Sequence, residues 1–304
     1  MHKLGVFLLK VPLCLLGLLP LRVHYALGRF VAWLAEDVVR YRRDVVMHNL
    51  TKAFPEKYVW DLKPIRKAFY QHFGELIAEA VWFGGCRNPK RLRRARLVEF
   101  ENPEQAARLF EQAPSIVVMY SHCGNWELYG GMPNYCADFP SPFTEQNICV
   151  VYRKLSSRAW DEVMRDNRFA PLDDRKHYAG YIESQDLIRY AYTHRDEKKA
   201  YYVNTDQRPY FVSPANLEVD FFGQRVQTMT GAAALARKFG MAVAYLSMRR
   251  ERRGHYVMRY EPICEDASTL SLEEIMQQYY RLLEADIRQQ PENYLWTHQR
   301  FAKV

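Results

Sequence analysis

The chain has 304 residues, 48% hydrophobic and 26% charged, which allows one large α/β domain or two small ones and excludes a disordered protein. Its net charge of +8 asks for an anionic partner: nucleic acid, an acidic protein or an anionic membrane surface. Six cysteines (Cys14, Cys86, Cys123, Cys136, Cys149, Cys264) form no C-x-x-C pair, which argues against structural zinc and a disulfide scaffold and points to a reducing compartment.

The N-terminus reads LGVFLLKVPLCLLGLLPL from Leu4 to Leu21. It approaches the roughly 17–25 apolar residues that cross a bilayer, but Lys10, Pro12 and Pro20 interrupt it. A cleaved signal peptide would leave a small-x-small site after the run; Arg22, Val23 and His24 stand there instead, and apolar residues resume with Ala26, Leu27, Phe30, Val31, Trp33 and Leu34. Residues 1–36 are therefore expected to be a retained membrane anchor or in-plane hairpin, and 37–304 the globular domain. Arg40, Arg42 and Arg43 favour the cytoplasmic side.

The spacing predicts an amphipathic helix over Asp61–Phe83, with Leu62, Ile65, Phe69, Phe73, Leu76, Ile77 and Ala80 on one stripe and Gly84-Gly85 ending it. A basic stretch follows: Arg87, Lys90, Arg91, Arg93, Arg94 and Arg96. It reads either as a solvated loop or as a contact for lipid headgroups; no nucleic-acid module accompanies it. Strands are then expected at Ser115–Tyr120, Ile148–Tyr152, Ala200–Val203, Leu217–Phe222, Ala242–Met248 and Tyr256–Tyr260. Helices are expected at Leu155–Asp166, Thr230–Phe239 and Leu272–Arg288. This alternation predicts an α/β fold with a single, mostly parallel sheet flanked by helices.

The stretch Tyr120-Ser121-His122-Cys123-Gly124-Asn125-Trp126-Glu127 carries the chemistry. It leaves an apolar strand and enters an expected helix, the place where open α/β sheets bind ligands. A carboxylate five residues after the histidine can hydrogen-bond one ring nitrogen and make the other a better base. Gly124 permits a tight turn and close approach of a substrate, and Asn125 either caps the helix or donates to developing negative charge. A bare H-x4-E equally describes a structural histidine beside a first-turn acid. The H-E-x-x-H pattern of helical metal sites is absent.

HCGNWE resembles the H-x4-D/E motif of the lysophospholipid acyltransferase superfamily, and looks most like the late (lauroyl/myristoyl) acyltransferases of lipid A biosynthesis. The likeness extends through HNLTKAFPE (His48–Glu56), VYRK (Val151–Lys154), TDQ (Thr205–Gln207), VDFFGQRVQTMTGAAALARKFG (Val219–Gly240) and PENYLWTHQRF (Pro291–Phe301). One departure is Arg153-Lys154, where that family usually has Arg-Pro.

The resemblance implies a glycerol-3-phosphate acyltransferase-like fold and an O-acyltransferase of the bacterial inner membrane, its active site on the cytoplasmic face. His122 would be the general base and Glu127 its orienting acid, both catalytic. Asn125, Arg153, Asp206 and Gln207 would contact substrate, with Arg153 at a phosphate. The donor would be an acyl thioester of acyl carrier protein, or of coenzyme A, with no metal and no other cofactor. The partners would be acyl carrier protein, a phosphorylated lipid acceptor and the membrane, not nucleic acid. The same chemistry on an aminolipid or lysophospholipid, or a non-catalytic basic protein of the membrane surface, stands as the alternative; the pair His122 and Glu127 separates the last from an enzyme.

Overall fold

The computed structural model describes residues 2–85, 89–175, 177–209 and 216–301. Cys86 and Arg87 lie outside the described residues.

The apolar N-terminal run folds as two short helices, α1 (His2–Gly17) and α2 (Leu21–Trp33), joined at Leu18–Pro20. Pro20 holds extended backbone and stops the chain from continuing as one rod. With 16 residues, α1 is about 24 Å long at roughly 1.5 Å per residue, short of a hydrocarbon core of roughly 30 Å. No helix among the described residues is long and apolar enough to cross a membrane. Lys10, which interrupts the run in sequence, points instead at the body of the protein, pairing with Glu162 (3.4 Å) and Asp166. Phe7, Leu8, Leu15, Leu18, Phe30 and Trp33 stay exposed.

A π-turn (Leu34–Val38) and α3 (Arg43–Ala53) lead to α4 (Val59–Gly85), which extends the expected helix by two residues at each end. α2 lies along α4. Gly28 and Gly74 let the two backbones touch: a Cβ on Gly28 would stand 2.6 Å from the Gly74 carbonyl oxygen.

The remaining elements are α5 (Pro89–Ala95), β1 (Val98–Phe100), α6 (Pro103–Gln112), β2 (Ile116–Tyr120), α7 (Met132–Tyr135), β3 (Ile148–Tyr152), α8 (Arg158–Arg168), β4 (Tyr181–Glu183), α9 (Leu187–Thr193), β5 (Ala200–Asn204), β6 (Glu218–Phe221), β7 (Gln224–Gln227), α10 (Gly231–Phe239), β8 (Ala242–Arg252), β9 (His255–Cys264) and α11 (Leu272–Gln289). A seven-stranded sheet runs β1-β9-β8-β2-β5-β3-β4, parallel except for the β8–β9 hairpin. Its two faces carry separate apolar clusters, as a sheet covered by helices on both sides requires. The expected α/β fold with a mostly parallel sheet is observed. The run Leu217–Phe222 pairs with β7 as a small antiparallel hairpin apart from the main sheet, turning at Phe222-Gly223, both with positive φ.

Register sets up the site. In the central pair, Tyr120 of β2 lies opposite Asn204 of β5. Residues two beyond each strand end, His122 and Asp206, therefore emerge side by side although 84 positions apart.

Candidate active site

β2 is buried along its whole length, so its position is fixed by packing on both faces. The loop after it is tied to the C-terminal segment: the Leu295 amide donates to the His122 carbonyl (3.1 Å) and the Gly124 amide to the Asn293 carbonyl (2.9 Å). Gly124 has φ +63°, and a Cβ there would stand 2.4 Å from Met248 Sδ. The close approach expected for a substrate is thus an approach to the sheet.

His122 Nδ1 donates to Asp206 Oδ1 at 2.8 Å. An ionised Asp206 can only accept, so the bond places the proton on Nδ1 and leaves a lone pair on Nε2. Burial pushes the Asp206 carboxyl up; the His122 ring and its hydrogen bond, with help from the Tyr294 hydroxyl, outweigh it and hold the group below the usual carboxylate range. The side-chain amides of Asn204 and Gln207 each stand 3.2 Å from Nε2. Trp126 sets its ring edge-on to the imidazole, 4.8 Å between centroids.

Glu127 does not make the hydrogen bond to His122 expected of it. The segment after Asn125 is a single 3-10 turn (Trp126–Tyr129), not the expected helix. That turn lays Trp126 against His122 and sends the Glu127 carboxylate to Arg168 at the end of α8. Arg168 Nε and Nη2 each donate to it at 2.8 Å. Burial pushes the Glu127 carboxyl up, but the Arg168 guanidinium and its two hydrogen bonds pull it below its ordinary value. Arg168 also donates to the Tyr181 hydroxyl.

Asn125 is fully buried and faces inward. Its Oδ1 accepts from the Glu127 amide (3.2 Å) and its Nδ2 donates to Glu79 Oε2 (2.9 Å). Of the two roles read from the sequence, the cap is observed, and the side chain is not on the wall of the cavity described next. Arg153 stands one residue beyond β3, exposed and on that wall, and Gln207 joins it.

The cavity measures about 280 Å³. His122, Glu127, Arg153, Arg168 and Gln207 supply its polar part, and Phe169, Leu172, Tyr178, Leu187 and Met229 its apolar part. An imidazole, two arginines and an apolar recess in one space suit a substrate with a polar part and a hydrocarbon part.

The family model of the bacterial lipid A biosynthesis acyltransferases matches residues 1–303. The chain belongs to that family. It is therefore an acyltransferase of lipid A biosynthesis, and the acyl transfer to a lipid A precursor that the family implies fits a cavity with both polar and apolar walls. No curated protein matches the chain.

Sequence reasoning missed Arg168, Asn204 and Trp126 as parts of this acyltransferase site. Asn204 and Trp126 adjoin the TDQ and HCGNWE blocks, so proximity was a usable signal. Arg168 had none: it follows the predicted end of its helix. The basic stretch also divides. Arg91 donates to the Gly17 and Leu19 carbonyls (3.0 Å each), closing the end of α1, and Arg93 donates to the Asn134 carbonyl (3.0 Å), while the Arg94 side chain is exposed.

Proposed function

We propose that this acyltransferase moves a fatty acyl chain from an acyl carrier protein thioester to a hydroxyl of a phosphorylated lipid A precursor, at the cytoplasmic face of the bacterial inner membrane. The observation that carries the reading is the His122 ring: Nδ1 is held by a buried carboxylate while Nε2 meets a cavity that is polar beside it and apolar beyond.

In this reading Nε2 takes the proton of the acceptor hydroxyl as its oxygen attacks the thioester carbonyl. Asp206 holds the tautomer and stabilises the imidazolium. The tetrahedral oxyanion collapses, the C–S bond breaks, and the departing thiolate takes the proton back from His122. The amides of Asn204 and Gln207 are close enough to turn toward the oxyanion. Glu127 acts by fixing Arg168 in the wall, a pair without net charge, and Arg153 supplies the positive charge for a phosphate of the acceptor. The net charge of +8 favours docking of an acidic carrier protein. Residues 1–36 seat the enzyme in the interface, the exposed side chains of α1 and α2 entering the lipid while Lys10 stays with the protein.

The test is transfer from purified acyl carrier protein thioester to a lipid A precursor, read by mass spectrometry. His122→Ala is expected to lower the rate by at least about a hundredfold, the low end for general base catalysis, without unfolding the protein. A near-normal rate would remove the mechanism, and a product only on an aminolipid or lysophospholipid would move the acceptor. Deleting residues 1–20 is expected to release most of the protein from vesicles in a flotation assay; full retention would refute the seating of the hairpin.

A further inference from the structure

Glu79 lies in the C-terminal third of α4, fully buried, and the mechanism above makes no use of it. Its carboxylate accepts three hydrogen bonds from three parts of the fold: Tyr25 Oη of α2 (2.8 Å), Tyr256 Oη of β9 (2.8 Å) and Asn125 Nδ2 of the active-site loop (2.9 Å). Asn125 in turn caps the Glu127 amide, and Glu127 fixes Arg168 in the cavity wall. Each donor to Glu79 is neutral. A buried carboxylate held only by neutral donors costs stability relative to an apolar residue of the same size. Burial does push this carboxyl above its ordinary value, against the pull of its donors.

The other end of the chain of bonds is α2. Its inner face, Tyr25, Gly28 and Ala32, is packed on α4, with Gly28 against Gly74. Its outer face, Val23, Leu27, Phe30 and Trp33, is exposed and apolar. The exposed apolar face and the Tyr25 hydroxyl that meets Glu79 thus belong to one short helix.

We propose that Glu79 is a positioning residue that carries the seating of α2 to the loop bearing His122 and Glu127. Seating of the N-terminal hairpin and readiness of the active site are then one equilibrium. Oε1 accepts from Tyr25, and Oε2 from Tyr256 and Asn125. A glutamine in its place keeps the Asn125 bond only by turning its NH2 to Tyr25, whose hydroxyl must then accept instead of donating; the substitution reverses the link to α2 and leaves Asn125 a weaker, amide acceptor.

The experiment uses the full chain in detergent micelles, with Glu79→Gln and Tyr25→Phe. Two readouts are taken: steady-state kinetics of acyl transfer, and hydrogen exchange by mass spectrometry over residues 121–131, with the β6–β7 hairpin and α11 as the internal reference. Glu79→Gln is expected to lower kcat by about fivefold or more with donor KM within about twofold, and to speed exchange in 121–131 but not in β6, β7 and α11. Tyr25→Phe, which leaves the Asn125 bond in place, is expected to act in the same direction by about threefold. Wild-type kinetics and exchange in Glu79→Gln would overturn the proposal. So would faster exchange spread evenly through β6, β7 and α11, which is lost stability alone. A wild-type Tyr25→Phe would confine Glu79 to the loop and refute the link to α2. The kinetic arm rests on the acyl-transfer reading. An inactive wild type would sink that reading, while the exchange arm would still decide this one.

Discussion

Replacing Asp206 with asparagine tests the feature on which the mechanism turns. The substitution keeps size and shape and can still accept from Nδ1, but it removes the negative charge facing the imidazolium formed in the transfer. Nδ1 and Oδ1 are 2.8 Å apart. With charge centres about 4 Å apart and an effective dielectric of about 20, the lost attraction is about 4 kcal/mol. That corresponds to roughly a thousandfold in rate. The loss should fall on kcat, because the imidazolium exists in the transition state and not in the bound ground state. Single-turnover transfer from a saturating acyl carrier protein thioester isolates that step. Circular dichroism and a urea midpoint establish that the variant is folded. A folded Asp206→Asn protein with kcat within about tenfold of wild type would refute the pairing as what stabilises the transition state.

Glu127→Gln should lower kcat less than Asp206→Asn does, because its carboxylate holds Arg168 and not the base. It should cost about 2 kcal/mol of stability by urea unfolding, less than a fully buried pair would, since Arg168 is partly exposed; equal kinetic losses in the two variants would contradict this division. Arg91→Ala should cost about 1 kcal/mol by freeing the carbonyls at the end of α1, while Arg94→Ala should leave stability unchanged and weaken binding to anionic vesicles only at low salt. Gly124→Ala should cost about 1–2 kcal/mol for the positive φ alone, with more from Met248, and should lower transfer; a wild-type melting temperature would refute it. Burial, with Arg250 nearby, holds the His72 imidazole down at about 3. Below pH 6.5 the unfolded chain then binds a proton that the folded one refuses, so this contribution to stability is present above pH 6.5 and is lost as pH falls. It should amount to about 2 kcal/mol between pH 7 and pH 5. In His72→Phe the difference between urea stabilities at those two pH values should shift by that amount, and an unchanged difference would show that His72 does not titrate in this way.

The sequence by itself determined the central strands, the longer helices and the family. β2, β3 and β5 were legible because buried parallel strands are short apolar runs, and α4, α10 and α11 because a helix with one buried face repeats at three and four residues. The sites of His122, Arg153 and Gln207 on the cavity wall were legible because they follow strand ends, where a parallel sheet opens its crevice. Tertiary structure alone decided the partners. Asp206 meets His122 because β2 and β5 pair with Tyr120 opposite Asn204, and no local pattern encodes a register across 84 residues. Glu127 meets Arg168 because a 3-10 turn replaced a helix and α8 ran two residues further than its pattern showed. Lys10 looked like a flaw in an apolar span until α8 supplied Glu162 and Asp166, and Arg91 looked like one charge in a basic run until α1 ended beside it. Composition and periodicity record which face of an element is apolar. Which charge meets which is fixed only when the elements pack, because a long polar side chain finds its partner across space and leaves no period in the chain.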